Sequence, residues 1–428
     1  MSRLQIVVVA ITIGLNALDG FDVLSISFAS PGIAREWHID RAALGFVLSM
    51  ELIGMGLGSI LLGGVADQFG RRRTLLGCLL VMTLGMFMAT QATGVYELSA
   101  WRVFTGLGIG GMLATINAVA AEFSNSRRLG LNVSLMAIGY PIGAVVGGSI
   151  AALLLKRGDW RVVFQLGAAA TALFVPLVFW LVPESISWLC QRQPPGALAG
   201  VNRSLIRMGH PPVAELPLIP VAVRKRSVAE IFDPQWLRVT VLVTLAYFLH
   251  VTTFYFVVKW VPKIVVDMGF SPASAAGVLV WANVGGATGG AVLGLVSLRL
   301  GLKPLTMFVL VMSTVMVAVF GRGQTTLAQL SLVCAVTGFF TNGGIVGIYG
   351  ILAKAYPTQL RATGTGFAVG VGRAGAMLAP IVAGYLFRAG YSLEFVATAM
   401  GSGSLVAALA LWLLPLDKSR GLDTATNS

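Results

Sequence analysis

Eight ionisable side chains stand inside long apolar runs of this sequence: Asp19, Asp22, Glu51, Arg102, Glu122, His250, Lys259 and Arg373. A charge kept in apolar surroundings is costly, and where it is kept it usually handles protons, ions or charged substrates. Asp19 and Asp22 are three residues apart, so on a helix both carboxyls share one face. Two such groups in a poorly hydrated cavity cannot both ionise freely, and the one that holds a proton can carry it. The plainer alternative is that each pairs with a basic neighbour. Arg373 lies about ten residues into its run, roughly 15 Å deep. A guanidinium grips a carboxylate through two parallel hydrogen bonds, so contact with an anionic substrate and a structural ion pair both fit it. Lys259, near the end of its run, either snorkels to water or faces a cavity, where its charge favours a second acidic group on the substrate. His250 reads as a buried, hydrogen-bonded histidine, and Glu51 as the partner of a neighbouring element. With the paired acids in the first half and Lys259 and Arg373 in the second, one half is expected to handle protons and the other to hold an anion. Tyr255, Asn283, Asn342 and Tyr349, with Trp260, Trp281 and Phe339, stand where aromatic rings could stack on a substrate ring and amides could bind its hydroxyls.

The elements that position these residues follow from composition. Of 428 residues, 56% are hydrophobic and only 11% charged, with a mean hydropathy of +0.84. Soluble domains carry about 25% charged residues. The balance excludes an ordinary soluble enzyme, a disordered chain and a disulfide scaffold. Cys78, Cys190 and Cys334 are far apart and read as free thiols. Twelve runs are long enough to span a bilayer: 5–30, 43–66, 75–95, 98–122, 131–155, 161–183, 236–261, 274–297, 304–321, 326–353, 363–386 and 393–415. The first is too long for a signal peptide and carries two aspartates. A polar stretch, 184–235, divides the runs six and six. The expected organisation is therefore a first six-helix bundle (1–183, the proton-coupling side), a cytoplasmic central loop (184–235), a second bundle (236–415, the anion side) and a cytoplasmic tail (416–428). With both termini inside, nineteen basic residues fall on the cytoplasmic side and eight on the other, as the positive-inside rule demands. The net charge of +13 thus orients a membrane protein and calls for no nucleic acid. Parallel six-helix repeats with a site at their interface are a transporter signature. No G-x-x-x-x-G-K-[ST] loop or His–carboxylate cluster occurs, so neither an enzyme, a metal nor a cofactor is expected. GLGIGG (106–111) lies inside an apolar run with no strand before it and is not read as a dinucleotide loop.

Particular motifs narrow this. The loop between the second and third runs reads GGVADQFGRRR (63–73), the fourth run opens WRVFTGLGIGG (101–111), the fifth carries GYPIGAVVGG (139–148), and PES (183–185) follows the sixth. Together they resemble the major facilitator superfamily, over nearly the whole chain. DGFD (19–22) and LRATGTGFAVGVGRAGAMLAP (360–380) resemble its aromatic acid:proton symporter family, from whose pattern the chain departs at Lys259 in KWVP (259–262). The resemblance implies an all-α membrane protein with twelve helices in two pseudo-symmetric bundles. It implies import of benzoate-, hydroxybenzoate- or phenylpropanoid-type acids with protons, by alternating access, across a bacterial inner membrane, by a chain that works as a monomer in the bilayer. Asp22 becomes the first proton-carrying candidate, with Asp19 as a partner or substrate hydrogen-bonding group. Arg102 is implied to face the acid of the first helix, either setting when its proton leaves or locking the helices together. Gly63, Asp67, Gly70, Arg71, Glu122, Arg127, Arg128, Glu184 and Arg361 lie at cytoplasmic helix ends, where salt bridges join the bundles in one state and break in the other. Gly63, Gly64 and Gly70 are expected to let that loop run close to its neighbours. The alternatives are symport of a sugar or other solute, proton-driven drug export, or sensing without transport.

Overall fold

The computed structural model describes residues 1–125, 128–217, 228–297 and 299–415; Arg127, three basic residues of the central loop (224–226) and the tail 416–428 lie outside them. Among the described residues the chain is all helix. The first six spans are α1 (Arg3–Glu36), α2 (Arg41–Phe69), α3 (Arg71–Ala89), α4 (Val95–Glu122), α5 (Leu129–Leu154) and α6 (Arg161–Leu181). Two short helices, α7 (Ile186–Arg192) and α8 (Ala197–Met208), occupy the central stretch. The second six spans are α9 (Pro234–Asp267), α10 (Pro272–Val296), α11 (Leu302–Gly321), α12 (Leu327–Ala355), α13 (Thr358–Arg388) and α14 (Leu393–Trp412). Twelve of the fourteen are long and apolar enough to cross a membrane.

Local sequence sets the helix ends. Ser2 and Gln5 form a reciprocal cap on α1, and Asp40, Ser271, Thr326 and Ser392 each accept a backbone N–H at the start of a later span. The α2–α3 junction turns on Gly70, at φ +101°, a conformation that a side chain strains. Glu184 fills the space beside it and accepts the N–H groups of Arg71 and Arg72 at 2.7 and 3.2 Å. Gly64, by contrast, has nothing within 4 Å of where a Cβ would stand, so the expectation of close packing there is corrected.

Both bundles use one packing device. In the first, Gly54 and Gly58 of α2 lie against Gly106 and Gly110 of α4, so closely that a Cβ at any of them would strike the other helix's backbone. In the second, Gly285 and Gly289 of α10 lie in the same way against Ala335 and Phe339 of α12. Small residues let helices approach where the bilayer supplies no hydrophobic drive between them. GLGIGG is this packing stripe. The two bundles then meet mainly along α2 with α13, α5 with α10 and α1 with α9, with a smaller contact of α1 with α10.

Candidate functional site

The charges expected inside the first bundle are there, but not all in the expected pairs. Asp22 is fully buried, and neither of its carboxylate oxygens has a hydrogen-bond partner. Arg102 of α4, also fully buried, reaches the Asp22 backbone carbonyl at 3.2 Å, with the Met86 sulfur at 2.9 Å and the Phe164 ring 5.2 Å from its guanidinium carbon. Its carboxylate partner is Glu51 of α2. The expectation that Arg102 faces the acid of the first helix is thus met by backbone only: the Glu51 carboxylate takes the guanidinium and leaves the Asp22 carboxyl without a donor. Asp19 is 2% exposed, and its Oδ1 is likewise without a partner.

Lys259 departs furthest from expectation. It is fully buried, so it does not snorkel, and it is not among the residues lining the small cavity between α5, α9, α10 and α12. Its ammonium donates to the Val23 carbonyl of α1 and lies 3.6 Å from Glu51. Both partners belong to the first bundle. Glu51 is therefore the hub of the buried charges, held by Arg102 from its own bundle and by Lys259 from the other. Sequence reasoning expected Glu51 to pair with a neighbouring element and could not name the partner, because nothing local says which helix face meets which neighbour.

Arg373 stands half-buried at the junction of α13 and α2, donating to the Met55 carbonyl at 3.2 Å and the Ser59 hydroxyl at 2.6 Å. Among the described residues no carboxylate pairs with it, which removes the structural ion pair offered as its alternative. It lines a cleft of about 460 Å³ between the two helices, with Ile53, Gly56, Val369 and Met377. A smaller cavity of about 40 Å³ lies between α5, α9, α10 and α12, bounded by Tyr140, Phe254, Asn283, Thr341 and Asn342. Asn283 and Asn342 spend their amide N–H on the Leu279 and Gly286 carbonyls, which leaves their side-chain oxygens as acceptors. Tyr140 went unremarked in the sequence; it follows Gly139 in the fifth run's motif. Tyr349 is 42% exposed, and its hydroxyl meets that of Tyr247 at 2.8 Å. Tyr255, half-buried, has its ring edge-on to Phe254. Trp260 is buried and donates to the Pro380 carbonyl, Phe339 packs on Phe340, and Trp281 is exposed. His250 bonds through both ring nitrogens, to the Ser404 hydroxyl and the Thr341 carbonyl, each at 2.8 Å.

The two ends of the molecule differ. At the end carrying the α1–α2 and α9–α10 turns, ion pairs cross between bundles: Arg41 with Asp267 at 3.1 Å and Arg388 with Asp40 at 3.3 Å. At the opposite end Arg71 holds Asp67 at 2.6 Å and Glu122 at 3.6 Å, all within the first bundle. Arg128 and Arg361 are exposed, and among the described residues no ion pair crosses between bundles there. Gly63 lies in α2. The expected ring of bundle-joining salt bridges is therefore, in this state, a cluster inside one bundle, tied to the α6–α7 link through Glu184.

A two-bundle helical fold with buried charges at the bundle interface defines a membrane transporter. The sequence pattern of the Major Facilitator Superfamily matches residues 12–326 and 243–426, and the chain belongs to that superfamily. It is 31% identical, over 96% of its own length and 95% of the other's, to the 3-(3-hydroxy-phenyl)propionate transporter of Escherichia coli (strain K12). It is 28% identical, over 92% and 88%, to the gallate transporter of Pseudomonas putida. Among solved structures, the inward open conformation of the xylose transporter XylE from E. coli matches with a TM-score of 0.75 over 96% of this chain and 97% of that one. At 18% identity, that likeness concerns the fold alone.

Proposed function

We propose that this chain imports an aromatic carboxylate together with one or more protons across a bacterial inner membrane by alternating access. The observation that carries the proton half is Asp22, a fully buried carboxyl to which no group among the described residues donates. Such a group is far cheaper to keep neutral than charged, so it takes a proton where water reaches it and gives it up when Arg102 or water can hold the anion. Asp19 is the neighbouring relay. The relatives' substrates, a hydroxyphenyl propionate and gallate, support the substrate class. Arg373, which forms no ion pair with a carboxylate among the described residues, is the cation offered to the substrate carboxylate. Tyr255, Tyr349, Asn283 and Asn342 supply ring contacts and hydroxyl partners.

The distribution of basic residues supports an orientation with both termini in the cytoplasm. In that orientation the crossed ion pairs of Arg41 and Arg388 close the outer end, and Asp67, Arg71, Glu122, Arg128, Glu184 and Arg361 stand ready at the inner end to join the bundles when the molecule rocks the other way. Moving proton and anion together cancels their charges. A lone charge would feel about 2.3 kcal/mol per 100 mV of membrane potential.

The test is uptake into proteoliposomes under an imposed inward proton gradient, with gallate, 3-(3-hydroxyphenyl)propionate, benzoate, an aromatic dicarboxylate and a sugar. Accumulation of an aromatic acid that collapses with the gradient is the expected result. Accumulation of the sugar alone, or export of a preloaded cation, sinks the assignment.

A further inference from the structure

Lys259 makes all its polar contacts with the opposite bundle. Its ammonium binds the Val23 carbonyl and faces Glu51, both in the first bundle, while it is anchored in α9 of the second. Glu51 is held from two sides, by Arg102 of its own bundle and by Lys259. Both cations and the carboxylate are fully buried, so the three together carry one net positive charge away from water. Asp19 lies within electrostatic reach of Glu51 and Lys259, Asp22 within reach of Glu51 and Arg102, and Arg373 within reach of Asp19.

Rocking the bundles apart at the outer end acts unequally on this cluster. Arg102 travels with Glu51, so Glu51 keeps a partner. Lys259 loses both of its acceptors. The next ionisable groups along its own helix, Lys263 and Asp267, are already engaged with each other. A buried ammonium left without an acceptor is strongly unfavourable; water or an anion that arrives with the opening takes the acceptors' place, and of the two only an anion also balances the charge. We infer that Glu51 and the substrate carboxylate are alternate partners of Lys259: the substrate holds it while the outer end is open, and Glu51 takes it back as that end closes, displacing the carboxylate toward the inner side. Lys259 is then an outward-state anion site, and Glu51 is the device that empties it. This rests on the carboxylate reading proposed above, and it adds a release step that the reading does not contain.

The exchange is tested on the full-length purified chain with three probes: 3-(3-hydroxyphenyl)propionate, hexanoate and D-xylose. Binding is measured in detergent and net uptake in proteoliposomes, for wild type, Glu51→Gln, Glu51→Asp and Lys259→Met. Glu51→Gln is expected to bind the carboxylate about tenfold more tightly, yet to take it up at least tenfold more slowly, because nothing displaces it. Glu51→Asp restores part of the uptake. Lys259→Met weakens binding of every carboxylate at least tenfold. If Lys259→Met does not fold, the double variant Glu51→Gln/Lys259→Met removes the pair together and is expected to bind more weakly than Glu51→Gln alone. Glu51→Gln weakening binding as much as Lys259→Met overturns the inference, because the pair is then only a brace. Wild-type affinity in both single variants overturns it too. Lys259-dependent binding of hexanoate but not of the aromatic acid supports the exchange and removes the aromatic assignment. Binding of D-xylose alone removes both.

Discussion

Asp22 and Arg373 differ in what their surroundings have already satisfied, and this decides how each should respond to substitution. Asp22 has no donor among the described residues, so Asp22→Asn replaces the carboxyl by an amide of the same shape that can neither take up nor release a proton. The variant should fold, and it should still exchange labelled for unlabelled substrate. Gradient-driven accumulation should fall by tenfold or more; undiminished accumulation would remove Asp22 from proton coupling. Arg373 donates to Ser59 and to the Met55 carbonyl, so a tethering role competes with a substrate role. A charge-assisted hydrogen bond contributes about 1.5–3 kcal/mol, so Arg373→Ala should raise KM roughly ten- to hundredfold. Arg373→Lys should recover only part of this, since a point charge replaces a two-pronged donor. Ser59→Ala is the control: if it raises KM as much as Arg373→Ala does, Arg373 acts by holding α2. The intramembrane charges were legible as a set, because ionisable residues stand out in apolar runs. Their pairing was not. Arg102 chooses Glu51 over Asp22 because helix rotation brings that carboxylate to the guanidinium, and rotation is not written in residue spacing.

Helices pack here through glycine, and the two kinds of glycine in α2 and α4 should behave oppositely. Gly54 and Gly106 touch across the α2–α4 contact, where any side chain meets backbone. Gly106→Val should lower the unfolding temperature in detergent markedly, since overpacking a tight contact typically costs about 1–3 kcal/mol. Gly64 faces open space, and Gly64→Ala should leave that temperature unchanged or slightly raised, by the 0.5–1 kcal/mol or so that alanine gains over glycine in a helix. Equal destabilisation by the two substitutions would mean that the close approach is not what holds α2 to α4. The twelve spans could be read from hydropathy with ends off by up to six residues, as a backbone in lipid has to satisfy its own hydrogen bonds and does so as helix. The short helices α7 and α8 within the polar stretch were not anticipated, since that stretch lacks a long apolar run.

Between the bundles, closure at one end rests on few contacts. Arg41–Asp267 and Arg388–Asp40 are partly exposed pairs, each worth about 0–1 kcal/mol. Removing both through Asp40→Asn with Asp267→Asn should therefore shift the population toward the outward-open state by roughly three- to tenfold. Spin labels across the α1–α2 and α9–α10 turns would report it as a longer distance; an unchanged distance distribution would place the closure in the buried contacts of α2 with α13 and α5 with α10 instead.

The order of residues was enough to give a twelve-helix membrane protein of this superfamily, its six-plus-six division and the small set of charges worth watching. Each of these depends on local quantities: hydropathy over twenty residues, motif spacing, and the cost of a charge in lipid. The three-way contact of Glu51 with Arg102 and Lys259, the carboxyl of Asp22 left without a donor, the unpaired Arg373 and the closure of one end only are properties of the fold. They depend on which faces of α1, α2, α4, α9 and α13 are turned toward one another, and that is settled by packing among helices hundreds of residues apart along the chain.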